Sequence, residues 1–182
     1  MTSLFKKEKK VLMLGLQSAG KTTILNKLRY NDISCEAQPT IGFNAEMVTY
    51  DNLKLNIWDV SGSEKSRMNW QDLYFHGTKG LIFVIDSTNQ QRLDLVRDEL
   101  LKCDQELKLK VPFLILANKQ DIPGKMDAEI IRRQLRLELF HEKRQIFIQP
   151  TCAYSGQGLC EAIRWLKKKM WPSCLVNHFN IF

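Results

Sequence analysis

The sequence predicts an α/β fold, a mostly parallel six-stranded sheet with helices on both faces. Three observations carry that expectation. Short apolar runs alternate with segments of helical periodicity along the whole chain. Several of those runs are continuously apolar, as strands buried on both faces are. No internal repeat, low-complexity tract or Pro/Gly linker interrupts the alternation, so 182 residues read as one domain with a substantial core.

The elements follow in order. "KVLMLGL" (10–16) is a buried strand, and "GKTTILNKLRY" (20–30) is a helix with Ile24, Leu25 and Leu28 on one face. "AEMVTYDNLKLNIWDV" (45–60) reads as two strands around a turn at Asp51 and Asn52. "GLIFVIDS" (80–87) is a central strand, "QQRLDLVRDELLKCDQEL" (90–107) an amphipathic helix and "VPFLILANK" (111–119) another buried strand. "MDAEIIRRQLRLELF" (126–140) is expected as one helix, with Ile130, Leu135, Leu137 and Leu139 among its apolar residues. "RQIFIQP" (144–150) is the sixth strand and "GLCEAIRWLKKKMW" (158–171) a closing helix. In such sheets ligands bind at the carboxyl ends of the strands.

Twenty-seven Lys and Arg against 20 Asp and Glu leave a formal charge of +7, which suits phosphates, acidic lipid or nucleic acid but equally a solvated basic surface. The five cysteines, Cys35, Cys103, Cys152, Cys160 and Cys174, are odd in number and form no Cys-x-x-Cys pair. They read as reduced thiols of a cytosolic protein rather than a disulfide framework or zinc site. The longest apolar runs are strand-sized, so no transmembrane span is expected, and "MTSLFKKEKK" lacks the apolar core of a signal peptide.

Two motifs carry chemistry. "GLQSAGKT" (15–22) fits G-x-x-x-x-G-K-[ST] between a predicted strand and a predicted helix. Its glycines let backbone N–H groups wrap a phosphate, and the helix N-terminus adds a favourable dipole. Gln17, Ser18, Ala19 and Gly20 would line that cradle with Lys21, Thr22 and Thr23; Lys21 would reach the β- and γ-phosphates and the Thr22 hydroxyl would bind Mg²⁺. "NKQD" (118–121) follows the "FLILA" strand about 100 residues later. Asp121 can accept two N–H bonds from a guanine edge, which adenine does not offer, while Asn118 and Lys119 tie this loop to the first. "TCAY" (151–154) could present the Ala153 N–H to the guanine oxygen, with Cys152 beside it.

With these motifs on the page, the chain resembles small GTPases and, among them, the Arf/Arf-like family. "GLQSAGKTT", "PTIGFN" (39–44), "WDVSG" (58–62), "ANKQD" (117–121) and "CAYSGQGL" (152–159) lie in that family's order and spacing, and the resemblance covers about residues 10–171. It implies a P-loop GTPase domain flanked by a basic N-terminus, 1–9, and a tail, 172–182. It implies GTP or GDP with Mg²⁺ held by Thr22, Thr40 and Asp59, and a γ-phosphate contact from Gly62. Segments around Thr40 and Gly62 would be ordered by GTP and loosened by GDP. Phe43, Trp58 and Tyr74 resemble the aromatic face that meets effectors. An exchange factor, an activating protein and a role in membrane traffic are implied as well; no nucleic-acid partner is.

The departures matter as much. Relatives usually read "DVGGQ"; here Ser61 and Ser63 stand for a glycine and the catalytic glutamine, and Gln17 stands where an aspartate is usual. The hydrolytic set is therefore read as Lys21, Thr40, Gly62 and Ser63, with slow hydrolysis expected. Gln17, and less well Glu64, are the candidate substitutes. The chain starts Met1-Thr2, without the glycine that many relatives myristoylate. Weak, peripheral endomembrane binding through Lys6, Lys7, Lys9 and Lys10, or through Lys167 to Lys169 with an acylated Cys174, is weighed against a solvated tail and a helix C-terminus with dipole-complementing cations. Two other readings stay open, a non-hydrolysing GTP-binding module and an unrelated P-loop nucleotide enzyme.

Overall fold

Residues 8–30, 43–50, 53–108 and 110–171 are described in the computed structural model. Thr40, the turn at Asp51 and Asn52, the basic start up to Lys7, and Cys174 lie outside the described residues. The strands are β1 (Lys9–Leu14), β2 (Phe43–Tyr50), β3 (Leu53–Val60), β4 (Gly80–Asp86), β5 (Phe113–Asn118) and β6 (Ile146–Pro150). They form one sheet in the order β2-β3-β1-β4-β5-β6. β2 pairs antiparallel with β3, with Tyr50 opposite Leu53, and the other pairings are parallel.

The continuous apolar runs are explained by two cores. Side chains alternate across a strand, so Leu12 and Leu14 of β1, Leu81, Phe83 and Ile85 of β4, and Phe113 and Ile115 of β5 share one face. Val11 and Met13, Ile82 and Val84, and Leu114 and Leu116 share the other. The first face is covered by α4 (Leu93–Glu106) and α5 (Ala128–Gln134), through Val96, Leu100 and Ile131, and by Leu135 just past α5. The second is covered by α1 (Lys21–Tyr30) and α6 (Leu159–Met170), through Ile24, Leu25, Ile163 and Leu166.

Two local expectations change and one gap is filled. The helix expected over 126–140 stops at Gln134; Arg136 is left-handed at φ 51°, and Leu137–Leu139 form a 3-10 turn. Leucines two apart point to nearly opposite sides of a helix. The break lets Leu135 and Leu137 both face the core while Leu139 stays exposed. The sixth strand begins at Ile146, and Arg144, expected within it, instead plugs the C-terminal end of α4. Its guanidinium pairs with Asp104 at 2.6 Å and donates to the carbonyls of Asp104, Leu107, Lys108 and Val111. Two short helices, α2 (Glu64–Arg67) and α3 (Trp70–Tyr74), occupy a stretch with no sequence assignment.

Candidate nucleotide site

The carboxyl end of β1 turns at once into the phosphate-loop motif. Gly15 has φ +145°, and a Cβ there would lie 2.3 Å from the Val84 carbonyl oxygen, so no other residue keeps β1 this close to β4. Ser18, at φ 66°, and Gln17 are exposed on the loop, and Ala19 is buried beneath it. Thr23 is half-buried in the first turn of α1. Lys21 is buried, and its Nζ donates to the carbonyls of Gly15 and Leu16 at 3.1 and 3.2 Å. Burial pushes its ammonium below the ordinary lysine value, with the nearby Asp59 carboxylate opposing. The ammonium thus lies across the loop, where it can meet a phosphate.

The Thr22 hydroxyl donates to Asp59 Oδ2 at 2.6 Å, joining the start of α1 to β3. Two hard oxygen ligands in contact beside a phosphate loop suit a small divalent cation such as Mg²⁺. The donor set therefore fits the ion; Thr40, the third expected ligand, lies outside the described residues.

The base side is held by Asn118, fully buried at the end of β5. Its Nδ2 donates to the Ala19 carbonyl at 2.9 Å, and its Oδ1 accepts from the Ala153 N–H at 3.0 Å. One side chain joins the phosphate loop, the "NKQD" loop and the "TCAY" loop. The Ala153 N–H, expected to meet the base, is here engaged by Asn118. Cys152 is buried, its Sγ accepting from the Ser155 N–H at 3.3 Å. Lys119, at φ 68°, pairs with Asp86 at 2.6 Å. Burial opposes the Asp86 charge, but Lys119 and two bonds from Thr88 outweigh it and hold the carboxyl below the usual range. Asp121 is exposed at the loop tip.

Sequence reasoning missed the residues that pin this loop. Gln120 donates from its N–H to the Thr151 carbonyl at 3.1 Å, and from Nε2 to Ser87 Oγ at 2.9 Å and the Met126 carbonyl at 3.2 Å. Nothing in the "NKQD" motif marks its third position, because the partners come from the residue after β4, the segment before α5 and the "TCAY" loop.

Gly62 packs directly on the phosphate loop: a Cβ there would lie 2.2 Å from Gly15 O, 2.5 Å from Leu16 C and 2.6 Å from Gln17 N. Ser63, next in sequence, caps α2. Its Oγ accepts from the Ser66 N–H at 3.4 Å, donates to Ser66 Oγ at 3.0 Å and accepts from Ser61 Oγ at 3.4 Å. Glu64 is exposed in the first turn of that helix.

The geometry is that of a phosphate loop, a base loop joined to it by Asn118, and the hydrogen-bonded pair of Thr22 and Asp59, gathered at the carboxyl ends of parallel strands. A model of the ADP-ribosylation factor family matches residues 1–170. This chain belongs to that family. Among solved structures, it is similar to the Arl6 (BBS3) small GTPase of Trypanosoma brucei with bound nucleotide analogue GppNp. The two are 27% identical over 90% of this chain and 98% of that one, with a TM-score of 0.82. The chain is accordingly a small GTP-binding switch protein of the Arf family, with GTP or GDP and Mg²⁺ as its cofactors, on the P-loop GTPase fold.

The three aromatic residues expected at an Arf-like effector face do meet. Phe43 stacks on Trp58 with ring centres 4.9 Å apart, and Tyr74 meets both edge-on at 5.7 and 6.4 Å. Lys10 Nζ lies 4.1 Å from the Trp58 ring centre and donates to the Tyr74 carbonyl at 2.7 Å, closing the cluster from below. Tyr74 is 8% exposed and Phe43 48%, so Phe43 is the ring this Arf-family protein presents outward.

Proposed function

We propose that this Arf-family protein is a GTP/GDP switch with slow intrinsic hydrolysis, recruiting protein effectors through the face around Phe43. In this reading Lys21 binds the β- and γ-phosphates, Thr22, Asp59 and Thr40 hold Mg²⁺, and Asp121 reads guanine with Asn118 and Lys119 behind it. Membrane traffic is the setting that the family resemblance supports.

One observation carries the slow-hydrolysis part: the Ser63 hydroxyl is spent on capping α2. A glutamine carboxamide at that position can orient water and touch the γ-phosphate at once. Serine is two heavy-atom links shorter, and here its oxygen is tied to Ser66. Losing a positioned polar group at such a site lowers the rate on the order of a hundredfold, about 3 kcal/mol. Gln17 is the better substitute, because it sits on the phosphate loop against which Gly62 packs, whereas the Glu64 charge would repel a phosphate. The same observation supports a second reading, a module that stays in the GTP form. The third, an unrelated P-loop enzyme, falls with the family membership.

The nucleotide content of the purified protein tests the reading. Stoichiometric guanine nucleotide with a substantial GTP fraction is expected, displaced by GTP or GDP but not by ATP. Displacement by ATP and GTP alike would refute it.

A further inference from the structure

Gly62 has the freest backbone of the segment that approaches the phosphate loop, yet both peptides flanking its Cα are pinned by side chains. Trp70 Nε1 donates to the Ser61 carbonyl at 3.2 Å. That carbonyl shares a planar trans peptide with the Gly62 N–H, so the N–H is turned away from the indole. On the other side, Arg67 Nη1 donates to the Gly62 carbonyl at 3.1 Å.

Both pins are anchored in the core. Trp70 is 2% exposed and meets Phe83 of β4 edge-on. Arg67 pairs through Nε with Glu99 of α4 at 3.4 Å, their side chains 11% and 7% exposed, and Lys102 reaches the same carboxylate at 3.3 Å. Glu99 lies among Val96, Leu100 and Cys103, all buried on that helix. A buried ion pair at such a position is often no more stabilising than an apolar residue would be, and its best-attested use is to fix one arrangement among several. One more contact points the same way: Arg92, just before α4, donates to the Gln17 carbonyl at 3.5 Å. The helix α4 and the turn leading into it thus reach both partners of the contact between Gly62 and the phosphate loop.

We propose that Arg67, held by Glu99, and Trp70 are positioning residues that hold the Gly62 N–H in place to read the third phosphate. This rests on the reading of Gly62 as the γ-phosphate contact. Without the pins Gly62 regains its backbone freedom, and the protein distinguishes GTP from GDP less well, although the phosphate and base loops are untouched.

The test uses the full chain, with Kd for a non-hydrolysable GTP analogue and for GDP in excess Mg²⁺, beside the thermal midpoint of the GDP form. The variants are Glu99→Gln, Arg67→Lys, Trp70→Phe and, as a reference, Gly62→Ala. Loss of a hydrogen bond involving a charged group corresponds to roughly ten- to a hundredfold in affinity. Analogue binding is expected to weaken by at least about tenfold in Glu99→Gln and Arg67→Lys, with GDP binding nearly unchanged. Trp70→Phe, which removes only a neutral donor, should show a smaller shift in the same direction, and the control Arg97→Ala, whose partners on α4 are Asp94 and Asp98, none. Equal losses for both nucleotides, or a change in thermal midpoint alone, would reduce these residues to ordinary fold support and overturn the proposal. If Gly62→Ala leaves the analogue-to-GDP ratio unchanged, the reading of Gly62 itself fails. If Gly62→Ala lowers the ratio while the Arg67, Glu99 and Trp70 variants do not, the positioning proposal alone fails.

Discussion

Asp121→Asn is expected to weaken GTP and GDP binding by roughly two to four orders of magnitude and to shift preference toward xanthine nucleotides. The loop that carries Asp121 is held by Gln120 to Ser87, just past β4, and to the "TCAY" loop, and by Lys119 to Asp86, while Asp121 itself is exposed. In the proposed reading a carboxylate there would accept from the two adjacent donors of guanine, and each charge-assisted bond would contribute roughly 1.5–3 kcal/mol. An amide offers one acceptor and one donor, which matches xanthine, whose second group is a carbonyl. The variant should fold normally, since an exposed side chain is changed on a loop pinned by others. Competition binding with GDP and XDP reads the result; unchanged GDP affinity would remove Asp121 from the base site.

Gly20→Ala should be as damaging, for a reason in the backbone. Gly20 has φ +96°, and a Cβ there would stand 2.4 Å from Asn118 Nδ2. An L-residue is strained in that conformation, and the new methyl would push Asn118 off the Ala19 carbonyl. A buried donor and acceptor left without partners cost about 1–3 kcal/mol each. Because Asn118 also holds the Ala153 N–H, the phosphate and base loops would come apart together. GDP and GTP affinities should therefore fall in parallel, by roughly a hundredfold or more, with a lower thermal midpoint. Isothermal titration and thermal unfolding would show this; a variant with near-normal affinity would mean that Asn118 is not the joint of the site.

How much could be read in advance follows the range of the interactions. The phosphate loop was legible because its function is local: glycines at fixed spacing shape the backbone that then meets the ligand. In "NKQD" the tie between the two loops was legible at Asn118, which does bond Ala19, whereas Lys119, expected to share that tie, pairs with Asp86 instead. The role of Gln120 was not legible, since its partners Ser87, Met126 and Thr151 come from other segments. Arg144 looked like a strand residue because its real partners are the carbonyls ending α4, about 40 residues earlier. The six strands were legible from their apolar runs. The break at Arg136 was not, because leucines two apart are compatible with a helix until the core shows which of them it accepts. Ser63 was legible as a missing glutamine but not as a helix cap: α2 has only four residues, too short to leave a periodic signal.

That cap bears on the central claim, a GTP-binding switch whose own hydrolysis is slow. The most direct test is single-turnover release of phosphate from GTP-loaded wild type, Ser63→Gln, Gln17→Ala and Glu64→Ala. Ser63→Gln gives up a helix cap worth about 1 kcal/mol, yet it should hydrolyse GTP faster than wild type by on the order of a hundredfold. Gln17→Ala should lower the residual wild-type rate more than Glu64→Ala does. A fast wild type, indifferent to all three substitutions, would contradict the account and place the hydrolytic machinery elsewhere in the chain.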